Sequence, residues 1–189
     1  HECFYHLIQE GQAWFPIFDF ETGERSAKEK QVRITGNDVV IVEGLHALNP
    51  VLLPPMDQEK LFRIYVSVKS RFVTGQYVLI GQENTRLIRR MVRDYHFRNT
   101  PPEKTLENWK DICHASQLYI EPFEKTADLT IDTAIMYEPS LFREELLPLL
   151  EGYESHKEKV ELIKNAISAF SPISSQWVPV DSLLREFIG

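Results

Sequence analysis

The sequence predicts an α/β fold with a mostly parallel sheet flanked by helices. Three short runs rich in valine, isoleucine and leucine alternate with longer segments of helical periodicity. Uninterrupted apolar runs of this length are typical of strands that are buried on both faces. Because alternating strands and helices are joined by crossover connections, they imply a parallel sheet. The chain has 189 residues, of which 43% are hydrophobic and 26% charged, enough for one domain with a proper core.

The predicted N-terminal elements are a helix and a loop or loose hairpin. Phe4, Leu7 and Ile8 follow i, i+3, i+4 spacing and Gly11 comes next, which predicts a helix that ends at a glycine cap. Residues 14–30 begin with aromatic side chains, pass a Thr-Gly turn signal and become polar. The predicted strands follow at residues 38–44, 61–68 and 127–134.

Further helices are predicted at residues 83–97, 101–125, 139–150 and 156–170. The second of these begins with Thr100 as N-cap and Pro101 at the first helical position. The sequence begins with His1 in a segment that has the pattern of the C-terminal part of a helix, so we expect an N-terminally truncated domain. Cys3 and Cys113 form no CxxC motif and are expected to be reduced thiols. No apolar run has membrane-spanning length and no signal peptide opens the chain, so a cytoplasmic protein is expected.

One predicted helix concentrates positive charge. Residues 85–99 carry five arginines in a chain whose formal net charge is −7. At 100° per residue, four of them fall within an arc of roughly 100°. They are Arg86, Arg89, Arg90 and Arg93, and the opposite face carries Leu87, Ile88, Met91, Val92 and Tyr95. The sequence therefore predicts an amphipathic helix with a cationic stripe.

The cationic stripe admits two interpretations. Like charges at i, i+4 repel by roughly 0.2–0.5 kcal/mol per pair, and the nearby carboxylates of Glu83 and Asp94 offset only part of this repulsion. The use of arginine rather than lysine favours bidentate contacts to phosphate or carboxylate. The stripe is therefore either a phosphate site or, alternatively, a solvated face or a set of ion pairs with another helix. The acidic total charge opposes a third interpretation, in which the arginines grip RNA.

Glu43 ends the first predicted strand, in the segment VVIVEG. In open α/β sheets the ligand crevice lies at the carboxyl ends of the strands. A carboxylate at this place can orient Mg²⁺, often through its water shell, or accept a hydrogen bond from a substrate hydroxyl. The alternative is a polar residue that merely ends the strand.

Four segments in fixed order carry a family resemblance: FDFETGER, DVVIVEGLHALNP, TRLIRRMVRDYHFR and PVDSLLREFIG. Together they resemble the uridine kinase/phosphoribulokinase-like group of P-loop kinases. They are most similar to the long bacterial members in which the kinase domain follows threonyl-tRNA-synthetase-like domains. The resemblance implies a P-loop NTPase-like sandwich, with residues 1–189 as a partial kinase domain. Within it, 83–127 would be the arginine helix and lid region, and 151–189 a C-terminal helical extension.

The resemblance also implies ATP and Mg²⁺ as cofactors and assigns roles to eight residues. Glu43 would be a catalytic residue near the phosphates that holds Mg²⁺ through water. The acceptor-side motif would be Phe18, Asp19 and Phe20. Arg86 and Arg89 would face the acceptor or the transferred phosphoryl group. Arg90 and Arg93 would face the phosphates of ATP.

The chain departs from the family pattern at three places. No GxxxxGK[ST] motif occurs in the sequence, and the resemblance places the P-loop and a catalytic aspartate upstream of His1. A pyrimidine-contacting histidine expected after the acceptor motif falls at Gly23. Asn84 precedes Thr85 and Arg86 where relatives usually have aspartate, threonine and arginine. These departures concern the triphosphate cradle and the choice of nucleoside.

Two functions follow as hypotheses. The first is an ATP-dependent phosphotransferase that acts on a hydroxyl of a small molecule, a nucleoside of the uridine type, and is inactive as this chain alone. The second is a non-catalytic, kinase-derived binding or interaction module. The expected partners are a small-molecule acceptor and, in a longer protein, upstream domains. Neither nucleic acid nor a membrane is expected as a partner, and a homo-oligomer stays open.

Overall fold

The computed structural model describes residues 2–19, 24–51, 60–153 and 155–189, which belong to two units. The first unit comprises His1–Arg63 and Gln117–Asp128, and the second comprises Ile64–Ser116 and Leu129–Gly189. Among the helices of the described residues, none is long and apolar enough to cross a membrane.

The first unit opens with a helix and an antiparallel hairpin. The helix α1 spans Glu2–Glu10, and the strands β1 and β2 span Gln12–Asp19 and Glu24–Arg33. Gly11 joins α1 to β1 at a φ of +72°, where a Cβ atom would come 3.2 Å from the carbonyl oxygen of Ile34. A glycine suits both the left-handed backbone and this close approach. The helix with its glycine cap is thus confirmed. In place of the predicted loop or loose hairpin the structure has two antiparallel strands, whose register shifts between Pro16 and Phe18.

The predicted strand at residues 38–44 is wrong. These residues have no regular secondary structure, and none of the described strands pairs with them. The side chains of Val39 and Ile41 are 88% and 89% exposed. An apolar run forms a buried strand only where neighbouring strands take its N–H and C=O groups, and no such ladder forms here. Glu43 consequently does not lie at the end of a strand.

The second unit contains a small parallel sheet, as predicted. Strand β3, Ile64–Ser67, pairs in parallel with β6, Leu129–Asp132, so that Ile64 lies opposite Leu129 and Val66 opposite Ile131. Between them the chain forms helix α2, Gln82–Arg98, and helix α3, Pro102–Tyr119. A parallel pair requires such a crossover connection. The described part of the chain therefore contains the strand–helix–strand pattern that the sequence predicted, with strands shorter than expected.

A hairpin precedes α2 that the periodicity did not predict. Strands β4 and β5, Phe72–Thr74 and Tyr77–Ile80, are antiparallel and turn at Gly75, whose φ is +56°. Phe72 and Ile80 are buried. The hairpin thus brings two apolar side chains under the helices of this unit.

Helices α4, Glu138–Leu149, and α5, Lys157–Ser168, confirm the helices predicted at 139–150 and 156–170. Helix α6, Arg185–Ile188, has no counterpart among the predicted helices. The helix predicted at 101–125 is in fact α3 followed by a short 3₁₀ helix at Glu121–Thr126, which has a proline in its first turn. Proline cannot continue the preceding helical hydrogen bonding, which explains the break.

One core holds the helices of the second unit together. Its most buried members, all at most 1% exposed, come from the hairpin, from α2, from α4 and its C-cap, from α5 and from the C-terminal segment. They are Ile80, Leu87, Met91, Val92, Leu141, Phe142, Leu146, Leu150, Ile163, Ile167 and Leu184. Residues C-terminal to 150 therefore belong to the same core as the arginine-bearing helix α2.

Asp132 closes the carboxyl end of the parallel pair. Its carboxylate accepts hydrogen bonds from the backbone N–H groups of Lys69, Ser70 and Ala134, each at 2.9 Å, and from the Ser70 hydroxyl at 2.5 Å. Desolvation raises the pKa of Asp132, but these hydrogen bonds outweigh it and lower the pKa from 3.8 to about 2. One side chain thus ties the loop after β3 to the end of β6.

This tie gives a testable pH dependence. Because the folded pKa is depressed, the ionised Asp132 stabilises the fold above the ordinary value of 3.8, and that contribution is lost as the pH falls towards about 2. We expect the difference in unfolding free energy between the protein and Asp132→Asn, measured by urea titration, to be largest near neutral pH and to shrink across this window. Asp111→Asn, at an exposed site on α3, is the control and should show no such trend. A difference that stays constant throughout the window contradicts the assignment.

Candidate functional site

Helix α2 separates apolar from cationic side chains. Leu87, Ile88, Met91 and Val92 are at most 3% exposed, which confirms the predicted core face. Tyr95, predicted on the same face, is 45% exposed in the last turns of the helix. The helix begins after Gly81 and ends at Asn99, which adopts the left-handed conformation typical of a C-cap.

Arg89 points into the protein rather than towards solvent. Its Nε donates to Glu138 Oε2 at 2.6 Å, while Nη1 and Nη2 donate to the Thr133 hydroxyl and carbonyl oxygens at 3.1 and 2.5 Å. The guanidinium carbon lies 5.4 Å from the ring centroid of Phe187. The side chains of Arg89 and Glu138 are only 8% and 1% exposed. Arg89 thus joins α2 to the end of β6, to α4 and to α6. Among the interpretations of the stripe, the structure gives this arginine an ion pair with another helix and not a solvated position.

The carboxylate of Glu138 depends on this arginine. Burial raises the pKa of Glu138, while the hydrogen bond and charge of Arg89 oppose the rise, as does the Ile135 N–H that donates at 3.1 Å. A buried charge without a partner costs far more free energy than a paired one. Each member of the pair therefore needs the other to remain charged in the interior.

Asp94 gathers three other arginines. Its carboxylate is 7% exposed and accepts two hydrogen bonds from Arg93, from Nε at 3.1 Å and from Nη2 at 3.0 Å. Arg90 Nε lies 3.2 Å from Oδ2, and Arg98 Nη1 lies 3.1 Å from Oδ1. Arg90, Arg93, Arg98 and Asp94 together form what we call the guanidinium cluster. Three positive charges here face one carboxylate.

The guanidinium cluster is electrostatically crowded. Desolvation lowers the pKa of Arg90, Asp94 opposes the effect, and the charges of Arg93, Arg98 and Arg86 lower the pKa further. The arginines of the cluster are partly exposed, with side-chain values of 33% for Arg90, 21% for Arg93 and 53% for Arg98. Partly exposed, mutually repelling guanidinium groups can bind an anion with charge-assisted hydrogen bonds.

Arg86 lies at the other end of the stripe. Its Nη2 donates to the hydroxyl of Ser116 on α3 at 3.3 Å, and Ser116 is buried. Of the four arginines predicted in the stripe, the structure therefore brings Arg90 and Arg93 together around Asp94. Arg89 and Arg86 each contact a different element.

The remaining predicted site residues belong to the first unit. Phe18 and Asp19 end β1, opposite Arg25 and Glu24 of β2, and Phe18 is 51% exposed. Phe20 lies outside the described residues. Glu43 is exposed in the irregular segment. Among the described side chains, no group of three or more His, Cys, Asp or Glu residues could hold a metal ion.

The sequence interpretation missed Asp94 as the organising residue and Arg98 as a member of its cluster. The available signal was spacing, since Arg90, Asp94 and Arg98 follow one another at four-residue intervals. On a helix such residues lie on one face and can form ion pairs. The predicted stripe was defined by the angular positions of the arginines alone, and Arg98 fell outside it. Asp94, which forms the ion pair with Arg98, was considered only as a carboxylate that partly offsets the repulsion between the arginines.

Comparison with known proteins identifies relatives. The model of the phosphoribulokinase/uridine kinase family matches residues 1–136. A uridine kinase from Clostridium botulinum (strain Okra / Type B1) is 29% identical over 118 residues, which are 61% of this chain and 48% of that protein. A uridine kinase from Deinococcus deserti is 30% identical over 127 residues, 67% of this chain and 53% of that protein. The chain spans about half the length of these curated relatives. No solved structure matches it.

The two kinds of arginine should separate in a stability experiment. Arg89→Ala leaves the buried Glu138 carboxylate unpaired, and we expect a loss of about 3–5 kcal/mol of unfolding free energy. The matched control on the same helix is Arg98→Ala, which removes a half-exposed ion pair and should cost about 0–1 kcal/mol. Urea unfolding followed by circular dichroism measures both variants. Equal losses in the two variants would show that Arg89 is no more structural than Arg98.

Proposed function

The chain belongs to the phosphoribulokinase/uridine kinase family, and from this premise we propose that it serves an ATP-dependent phosphotransferase reaction on a hydroxyl of a small molecule. The proposed acceptor is a nucleoside of the uridine type, in keeping with the relatives named uridine kinase. The observation that carries the proposal is the guanidinium cluster, in which three arginines of an acidic protein converge on a single buried carboxylate.

The proposed site works by positioning and electrostatics. ATP supplies the phosphoryl group when it is bound, and Mg²⁺ neutralises charge that develops on the phosphate oxygens. Arg90 and Arg93 bind the phosphate oxygens through N–H groups that do not contact Asp94. Their positive charge stabilises a dispersed negative charge more strongly when water is excluded. Arg86 is proposed to face the acceptor or the transferred group, and residues 83–127 to be the arginine helix and lid region.

For Arg89 we propose a role other than the contact to the acceptor or the transferred phosphoryl group that the resemblance implies. A guanidinium that is held by Glu138 and Thr133 and is largely buried cannot also offer its full fork to a phosphate. We propose that Arg89 acts by holding α2 against the carboxyl end of β6, so that the neighbouring arginines keep their direction. Phe18, Asp19 and Phe20 remain the proposed acceptor-side residues, and Glu43 the proposed Mg²⁺ contact through water. An exposed carboxylate fits that role, because Mg²⁺ usually keeps several of its water ligands.

The first test concerns the chain as it stands. We expect no measurable ATP-dependent phosphorylation of uridine or cytidine by the 189 residues, because their sequence contains no GxxxxGK[ST]. The backbone N–H groups and the lysine of that loop cradle the β- and γ-phosphates in P-loop enzymes. A coupled assay for ADP formation measures the rate, with and without nucleoside. Turnover at the rates of ordinary kinases would contradict the expectation that the reaction needs this phosphate-binding loop.

The second test uses an active form of the protein that includes a phosphate-binding loop. Arg93→Ala should lower kcat/KM for uridine by at least about 10²-fold, the cost of removing one well-placed charge-stabilising donor. Arg93→Lys should restore only part of the activity, because a compact ammonium group cannot reproduce the two hydrogen bonds to Asp94 and contact a phosphate at the same time. The matched control is Arg33→Ala, which removes an exposed arginine on β2.

Kinetics and melting temperature are measured side by side for these variants. If Arg93→Ala keeps its activity while its melting temperature collapses, the cluster is structural and the proposed site is wrong. If the active form binds ATP but phosphorylates no hydroxyl acceptor, the non-catalytic module is the better description.

A further inference from the structure

The guanidinium cluster contains more positive charge than its carboxylate requires. Asp94 supplies one negative charge, while Arg90, Arg93 and Arg98 supply three positive charges within 3.2 Å of its oxygens. Glu186 on α6 is a second carboxylate near this face; one of its oxygens lies 4.0 Å from Arg93 Nη1, and its side chain is 56% exposed. Neutralising a buried aspartate needs a single arginine. The surplus therefore calls for a reason beyond stability.

The position of Asp94 is unfavourable for the helix itself. It lies in the last turns of α2, where the partial negative charge of the helix end repels an anion. Its burial adds a desolvation cost that a neutral residue would avoid. Meanwhile its backbone carbonyl is fixed, because the N–H groups of Asn99 and Thr100 both donate to it at the helix end. The carboxylate is thus held at a defined place that helix stability alone would not select.

What the carboxylate achieves is geometric. Without it, the like charges of Arg90 and Arg93, three residues apart on one helix face, repel one another. With it, Arg90 is held through Nε, Arg93 through Nε and Nη2, and Arg98 through Nη1. Each guanidinium keeps at least one terminal nitrogen outside these contacts. The arginines are therefore ordered before any ligand arrives, which reduces the entropy lost on binding.

We propose that Asp94 is a positioning residue that arranges Arg90, Arg93 and Arg98 into a preorganised site for the polyphosphate group of a nucleotide. This inference rests on the proposed function and adds Arg98 to the proposed phosphate-binding residues. Asp94 itself does not touch the ligand. It acts through the three guanidinium groups, whose remaining N–H groups donate to phosphate oxygens.

The variant Asp94→Asn removes one negative charge, and the direction in which it changes the Kd for an anion distinguishes positioning from simple electrostatics. If only net charge mattered, loss of a carboxylate beside the arginines would tighten anion binding. If Asp94 positions the arginines, the same variant should weaken binding although the cluster has become more positive. Inorganic tripolyphosphate, titrated into the 189-residue chain by calorimetry at constant ionic strength, is the probe. We expect Asp94→Asn to raise the Kd about tenfold.

Two comparisons accompany this measurement. Asp111→Asn makes the same charge change at an exposed site on α3, and its Kd should stay within about twofold of the unaltered chain. Sulfate, titrated in parallel, reports selectivity: the preference for tripolyphosphate should fall in Asp94→Asn and persist in Asp111→Asn. A purely structural role of Asp94 would change the melting temperature without changing this preference when binding is measured well below the melting transition.

A second measurement decides the matter if Asp94→Asn does not fold. In the ¹⁵N-labelled, unaltered chain, the Nε–H resonances of Arg90 and Arg93 should be visible at neutral pH and should shift on addition of tripolyphosphate. The Nε–H resonance of the exposed Arg33 is the control and should not shift. Shifts of equal size at all three arginines, or at none, overturn the proposal.

The outcomes distinguish a failure of the positioning role of Asp94 from a failure of the proposed phosphate site. If tripolyphosphate binds the unaltered chain and Asp94→Asn binds it as tightly or more tightly, Asp94 does not position the arginines, but the phosphate site of the proposed function stands. If tripolyphosphate does not bind the unaltered chain, the proposed phosphate site fails, and the role of Asp94 fails with it.

Discussion

The buried ion pair between Arg89 and Glu138 is the interaction on which the arrangement of helix α2 depends. One guanidinium contacts the end of β6 through Thr133, the first turn of α4 through Glu138, and α6 through the ring of Phe187. Three elements that are distant in sequence thereby set the rotation of α2 about its own axis. Because the core face of the helix is fixed at the same time by Leu87 and Met91, the direction of every other arginine on it follows.

This constraint divides a single run of arginines into two kinds. Arg89 is anchored in the interior by a carboxylate from another helix, whereas Arg90, Arg93 and Arg98 are gathered by a carboxylate of their own helix. The first arrangement suits stability, since each charge satisfies the other in a region that excludes water. The second leaves positive charge in excess at a half-exposed surface, which suits recognition of an anion. A stripe that looks uniform in the sequence therefore combines a structural and a proposed binding role.

Local patterns in the sequence predicted more than long-range ones. The apolar face of α2, the glycine after α1 and the parallel pairing of β3 with β6 follow from periodicity and strand–helix alternation. The strand at 38–44 could not be decided in this way, because a run of valine and isoleucine becomes a strand only when neighbours complete its hydrogen bonds. The burial of Arg89 was hidden for a similar reason, since its partner Glu138 lies 49 residues away. The link from Arg90 through Asp94 to Arg98, by contrast, was present in the four-residue spacing.

The most direct test of a divided arginine helix is to locate a bound oxyanion. Crystals of the chain grown with tungstate, a tetrahedral oxyanion with strong anomalous scattering, would show its position independently of any activity. We expect an anomalous peak within hydrogen-bonding distance of Arg90, Arg93 and Arg98, with Arg89 still bound to Glu138. A peak beside Arg89 after release of Glu138, or no peak near the guanidinium cluster while tungstate binds elsewhere, would contradict this expectation.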